Sequence, residues 1–271
     1  MSLPAISGAP AVPLWMWNGD EPRITSVFQP IVDLRTGEPI GYEVLSRGLG
    51  PIQAPHVLFS KARVEGVSWE LERACWTAAV RRISSLPSKE RRVPFFFNVG
   101  PDVLGDPRFR DGSTLELLAQ YGMNPRQIVL EITETSAFAD SDQLQELAGH
   151  YRAQGFGLAL DDFGAGHSGL VTLVHSVPRF VKLDQALVRG IHLYGYRQHL
   201  LRALSDFALR VDSILIAEGV ETWEELEVLM RLGIRHVQGF LVARPASTPP
   251  QPSEELHLRC QQALRALELR G

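Results

Sequence analysis

Seven short apolar runs in this chain each stop at a polar or ionisable residue: Glu43 in YEVLSR, Asn98 in FFFN, Glu131 in VLE, Asp161 and Asp162 in LALDD, Lys182 in FVK, Glu218 in LIAE and Gln238 in HVQ. A single acid at a strand end is ordinarily a solvated turn residue or the N-cap of the next helix. Seven in succession converge if the runs are parallel strands of one barrel, because the C-terminal ends then open on one face. There Glu43, Glu131, Asp161, Asp162 and Glu218 would repel one another. Two charges about 4 Å apart do so by about 4 kcal/mol at an effective dielectric of about 20. Lys182 alone cannot offset that, so either some acids are protonated or the site holds divalent cations. Oxygen-rich ligation without His or Cys suits hard ions such as Mg²⁺, Mn²⁺ or Ca²⁺ rather than zinc. Adjacent Asp161 and Asp162 suggest two ions sharing a carboxylate, an arrangement that serves phosphoester hydrolysis.

The elements that must position these residues are legible as alternating strand and helix patterns, the signature of the α/β class. Strands are expected over 27–34, 39–45, 93–97, 127–130, 157–160, 179–181, 213–217 and 235–237. Only Arg35, Thr36 and Gly37 with their neighbours join the first two, which predicts a hairpin and an antiparallel first pair. The later strands need crossovers. Thr222 and Glu225 form a capping box ahead of Leu226, Leu229 and Met230, and Gly233 ends that helix. Leu144, Leu147, Ala148 and Tyr151 form a stripe that stops at Gly155. The expected fold is a closed (β/α)8 TIM-like barrel with an antiparallel first strand. A doubly wound sheet is the runner-up, but its Gly-rich dinucleotide fingerprint is missing from the first turn. Phe95, Phe96 and Phe97 alternate faces and read as core.

The chain has 271 residues, 45% of them hydrophobic, which is enough for a single barrel domain. Residues 1–22 read as an N-terminal arm or linker remnant and 23–271 as the barrel; Trp15 and Trp17 could bind a partner or pack the arm. A net charge of −4 offers no basic field for polymeric nucleic acid. No stretch approaches the roughly 20 apolar residues of a membrane helix, so membrane insertion is not expected. Two distant cysteines, Cys75 and Cys260, fit a reducing, cytoplasmic setting. The histidines share no metal-ligand spacing, and His167 reads as a solvated loop residue.

In order along the chain, Glu43-Val44-Leu45-Ser46-Arg47, Asn98, Glu131-Ile132-Thr133-Glu134, Asp161-Asp162-Phe163-Gly164, Lys182-Leu183-Asp184, Glu218-Gly219-Val220-Glu221 and Gln238-Gly239-Phe240 resemble the motifs of EAL-domain cyclic di-GMP phosphodiesterases. The match runs over about 28–245. The resemblance implies hydrolysis of cyclic di-GMP to linear pGpG with two ions, Mg²⁺ or Mn²⁺, per site. It implies that Glu43, Asn98, Glu131 and Asp161 hold one ion, while Asp161, Asp162 and Glu218 serve the second. Lys182 would orient or polarise the water and Gln238 support the water network, with Glu218 also counted among the catalytic groups. Arg47 would meet a substrate phosphate, and Gln29 would reach the ligand. Glu134 and Glu221 would brace the loop 161–170, which in the family links catalysis to dimerisation, so a homodimer is expected. Val44 replaces the name-giving alanine, and Val99 stands where Ser is usual. The loop reads Ala165-Gly166-His167-Ser168-Gly169, with fewer hydroxyl groups than its relatives. The alternative this leaves is a non-catalytic cyclic di-GMP receptor. A barrel glycosidase would explain two acids and leave the others and Lys182 idle.

Overall fold

The apolar runs form eight strands that close into a barrel in the order β8-β1-β2-β3-β4-β5-β6-β7. They are β1 (Ile24–Asp33), β2 (Glu38–Gly48), β3 (Phe95–Asn98), β4 (Ile128–Thr133), β5 (Gly157–Phe163), β6 (Phe180–Leu183), β7 (Ile214–Ala217) and β8 (His236–Val237). This computed structural model describes residues 15–18, 21–50, 52–104, 106–133, 141–166 and 169–268. Residues 1–14 of the expected arm lie outside the described residues.

β1 runs antiparallel to both neighbours, β2 and β8, while every other pairing is parallel. The expected barrel with its antiparallel first strand is thus the fold. The hairpin turns where Gly37 adopts a φ of +72°, and Asp33 accepts hydrogen bonds from the backbone and guanidinium of Arg35. β2 runs past the expected end at 45 to Gly48, because an antiparallel partner is available back to Ile24, which pairs with Gly48.

The barrel interior is layered, as the two-residue period of a strand dictates. Phe96, Val129, Ala159 and Ile216 form one apolar cluster with Ile31, and Phe180 packs against it. Two residues further along the same strands, or one step past their ends, stand Asn98, Glu131, Asp161, Lys182 and Glu218. The polar layer therefore rests on an apolar floor. Gly41, two residues before Glu43, lies where a Cβ would come within 2.5 Å of the Phe96 ring, so only glycine fits opposite that side chain.

Outside the barrel, helices cover the strands in two large clusters, one around Trp76, Phe97, Leu130 and Tyr151, the other around Leu160, Val181, Leu226 and Val237. The helix Trp223–Arg231 has its capping box between Thr222 and Glu225 and buries Leu226, Leu229 and Met230. A ribbon of Trp17–Asn18 with Glu21–Pro22 docks the arm, and Met16 is buried among Leu58, Leu71 and Ala74. Trp15 Nε1 donates to Glu65 at 2.9 Å and Trp17 packs on the same cluster, so both rings serve to pack the arm. No described helix is long and apolar enough to cross a membrane.

Candidate active site

Lys182 is the hub. Its side chain is 1% exposed, and its Nζ lies 2.7 Å from Glu131 Oε1, 2.7 Å from Glu218 Oε1, 3.0 Å from Asp161 Oδ1 and 3.7 Å from Glu43 Oε2. Five strands contribute to this cluster, and each puts its group where its apolar run ends. Asn98 Nδ2 donates to Glu43 Oε1 at 3.0 Å, and Gln238 Nε2 donates both to Glu43 Oε2 and, at 3.1 Å, to Gln29 Oε1. Gln29 Nε2 in turn donates to the carbonyl of Ala243 at 3.2 Å.

Asp161 and Asp162 share the site for a reason the sequence does not display. Consecutive residues of a regular strand face opposite ways. The β5–β6 register slips between Leu160 and Phe163, and Asp162 takes a φ of +54°, in the left-handed region. The alternation breaks there, and oxygens of Asp161, Asp162 and Glu218 fall within 4.8 Å of one another.

One buried ammonium does not neutralise this set. Burial raises Glu131 well above the usual carboxylate range, helped by Glu43 and Asp161 and opposed by Lys182. Burial also pushes Glu218 up to about 8 and Asp162 to about 6, with Asp161 adding repulsion to both. For Lys182 burial works against the charge, but Asp161, Glu131, Glu218 and Glu43 together hold it well above an ordinary lysine. A cluster that holds protons this tightly is one that divalent cations could occupy in their place. The donors fit hard cations: all are oxygens, Glu131 is fully buried, and among the described residues its Oε2 has no hydrogen-bond partner.

A cavity of about 290 Å³ opens over the cluster, lined by Glu43, Asp161, Asp162, Lys182, Glu218 and Gln238 together with Gln29 and Glu221. Asn98 is exposed and is not among the lining residues; it joins the site through its bond to Glu43. Arg47 lies on β2 beyond Glu43 and donates to the carbonyl of Ser46 at 2.8 Å. Glu221 is ion-paired with Arg189 at 2.6 Å. Glu134, like His167 and Ser168 of the loop, lies outside the described residues. Val44 is buried in the outer core, beside the site rather than in it.

Five lining residues had no role in the sequence reading: Asp184, Gln185, Gly219, Gly239 and Phe240. Asp184 caps the helix Gln185–Val188 by accepting from Ala186 N, and its charge helps raise Asp162. Phe240 is half-exposed with the Arg244 guanidinium 4.2 Å from its ring centroid. The signals were the acid closing Lys182-Leu183-Asp184 and the arginine four residues after Phe240. Gly239 must be glycine, because a Cβ would meet the Val220 carbonyl oxygen at 2.1 Å where the loops after β7 and β8 cross.

The family model for the EAL domain matches residues 20–245. The cyclic di-GMP phosphodiesterase RocR of Pseudomonas aeruginosa is 30% identical over 234 residues, which cover 83% of this chain and 58% of RocR. The probable cyclic di-GMP phosphodiesterase PdeN of Escherichia coli is 29% identical over 225 residues, 80% of this chain and 42% of PdeN. The chain thus spans well under two thirds of the length of these curated relatives. Among solved structures, BlrP1 of Klebsiella pneumoniae in a calcium/cy-diGMP complex superposes with a TM-score of 0.76 at 31% identity, covering 83% of this chain and 56% of that one. A standalone EAL protein from Vibrio cholerae in its c-di-GMP bound form gives 0.78 at 29% identity, covering 86% and 97%. With the motifs in order, the barrel closed as they require and the family model spanning most of its length, the chain belongs to the EAL domain family.

Proposed function

We propose that this protein hydrolyses cyclic di-GMP to linear pGpG, with two divalent cations, Mg²⁺ or Mn²⁺, held at the cluster around Lys182. The observation that carries this reading is the convergence of Glu43, Glu131, Asp161 and Glu218 on one buried ammonium beneath an open cavity. Glu43, Asn98, Glu131 and Asp161 are assigned to one ion, and Asp161, Asp162 and Glu218 to the other. Bound cations would lower the pKa of the attacking water and offset phosphate charge. The rest is the work of the chain. Lys182, held beside Glu131, Asp161 and Glu218, would orient or polarise the water as it approaches phosphorus opposite the departing ribose 3′ oxygen. Glu218, counted among the catalytic groups, lies 2.7 Å from the Lys182 ammonium and helps to hold it in the site. Gln238 and Gln29 tie the far wall together, Arg47 takes a substrate phosphate, and Glu134 and Glu221 brace the loop after β5.

The helix Gly169–Ser176 follows that loop and exposes Leu170 (66%), Val171 and Val174 (63%), with Val177 just beyond it. An apolar face of this kind supports assembly as a homodimer through that helix.

The test is incubation with cyclic di-GMP and Mg²⁺ or Mn²⁺, with products resolved by chromatography. A pGpG peak abolished by chelator is expected. Tight binding with no pGpG over a long incubation would make the protein a receptor instead.

A further inference from the structure

Glu72 is a buried acid that the reaction does not use. It lies in the helix Ser68–Ser84, which packs outside β1 and β2 and reaches β3 through Trp76, and it is 3% exposed. Its surroundings are neutral: Trp76 Nε1 donates to Oε1 at 3.2 Å, and Oε2 lies against Gly100, 3.7 Å from where a Cβ of that residue would stand, so that the Gly100 backbone N–H steadies its charge. Burial pushes it up to about 7. A carboxylate buried without a cation weakens a core that an apolar residue would strengthen, so its presence needs another account.

Its neighbours supply one. Trp76, one turn along, packs on Phe97 with ring centroids 4.5 Å apart and the rings tilted by 34°. Glu72 therefore grips Gly100 while Trp76 grips Phe97, and Asn98 lies between. Asn98 is exposed, so burial does not fix it. Its strand contacts are the pairing with Glu131 and the bond from Val99 N to the Glu131 carbonyl at 3.1 Å. Its Nδ2 is engaged by Glu43, which leaves Oδ1 as the atom a hard cation would take.

We propose that Glu72 is a positioning residue for Asn98: by holding the Gly100 N–H it fixes the end of β3 from outside the barrel and keeps the Asn98 amide in place beside Glu43. The proposal rests on the reading of Asn98 as a metal ligand. Groups that support a ligand without touching the metal typically contribute 10- to 100-fold in metal affinity.

The experiment titrates Mn²⁺ alone into the metal-free protein by calorimetry, with circular dichroism and thermal melting as checks of fold. Glu72→Gln keeps the shape of the side chain but turns one acceptor oxygen into a donor, which conflicts with one of the two N–H groups. It is expected to remain folded and to bind Mn²⁺ about tenfold more weakly. In an Asn98→Ala background the same substitution should add nothing, because its effect passes through Asn98. Unchanged affinity in the folded variant, or an equal loss in the Asn98→Ala background, would overturn the proposal. Should Glu72→Gln fail to fold, Glu72→Asp keeps the acid but falls short of Gly100, and the same two outcomes decide. If neither folds, Glu72 is a structural residue and the proposal falls. Wild-type protein that takes up no Mn²⁺ would instead remove the metal reading itself, a result visible before any variant is made.

Discussion

Asp161 and Asp162 are consecutive residues of one strand, yet both present carboxylate oxygens to the cluster that includes Glu218. The left-handed backbone at Asp162 makes this possible. Strain of this kind is held by the surrounding structure and concentrates where function needs it. Asp and Asn tolerate the left-handed region better than most residues, so backbone and chemistry agree on the residue type.

Asp162→Asn should separate the two demands. It keeps a side chain suited to a φ of +54° and removes the charge. Turnover of cyclic di-GMP is expected to fall by about a hundredfold or more while the melting temperature stays within a few degrees. Asp162→Val should lose about 1–2 kcal/mol of stability as well, since a β-branched residue fits that backbone poorly. An Asn variant with wild-type turnover removes Asp162 from the reacting set.

Glu43→Ala removes the acceptor shared by Asn98 and Gln238 and lies outside the apolar core. Turnover should disappear with the circular dichroism spectrum unchanged. A well-folded variant with wild-type activity contradicts the assignment.

Lys182→Ala should lower kcat by at least about two orders of magnitude with KM changed only a few-fold, because a group that directs the water acts chiefly in the transition state. Steady-state kinetics at saturating Mn²⁺ make the measurement. A rise in KM alone would make Lys182 a contact to ground-state phosphate.

The pH dependence follows from the raised carboxylates. Glu218 and Asp162 bind protons more tightly folded than unfolded, so their contribution to the metal-free protein is fully present below the unfolded values near 4. It is lost as pH rises through about 6 for Asp162 and about 8 for Glu218. Chemical denaturation of metal-free protein should therefore show stability declining over that window. The apparent Mn²⁺ affinity should rise across the same window, by up to about tenfold per pH unit for each proton displaced. A flat affinity between pH 6 and 8, taken as an approximate test range, would show that no proton leaves on binding.

The dimer is tested at Leu170 and Val174, four residues apart and therefore on one helix face. Leu170→Arg combined with Val174→Arg should convert a dimer to a monomer in sedimentation velocity without unfolding the barrel. A wild-type protein that sediments as a monomer removes the dimer altogether.

The barrel was legible because five strands, β3 to β7, place a polar residue two steps past an apolar one, and the seven ends could be read in order. The direction of β1 was legible from the short turn at Arg35, Thr36 and Gly37. What stayed hidden has no period. The Trp17–Asn18 ribbon is two residues long, the twist at Asp162 is a backbone event, and the reach of β2 to Gly48 depends on a partner 24 residues away in sequence. Glu72 sits in a helix where charged residues are common, and only the fold takes it away from water.

The direction of β1 has a further consequence for how the chain meets its reacting end. In a regular barrel of alternating strands and helices the polypeptide is threaded in from the end remote from the chemistry. Here it arrives at the chemical end: Ile24 lies beside Gly48, Thr25 beside Arg47, and Leu49 N bonds to the Arg23 carbonyl. The segment before Ile24 is thereby separated from Arg47 by one rung of the ladder rather than by the core. The point of entry thus lies on the rim, beside the residue proposed to take a substrate phosphate.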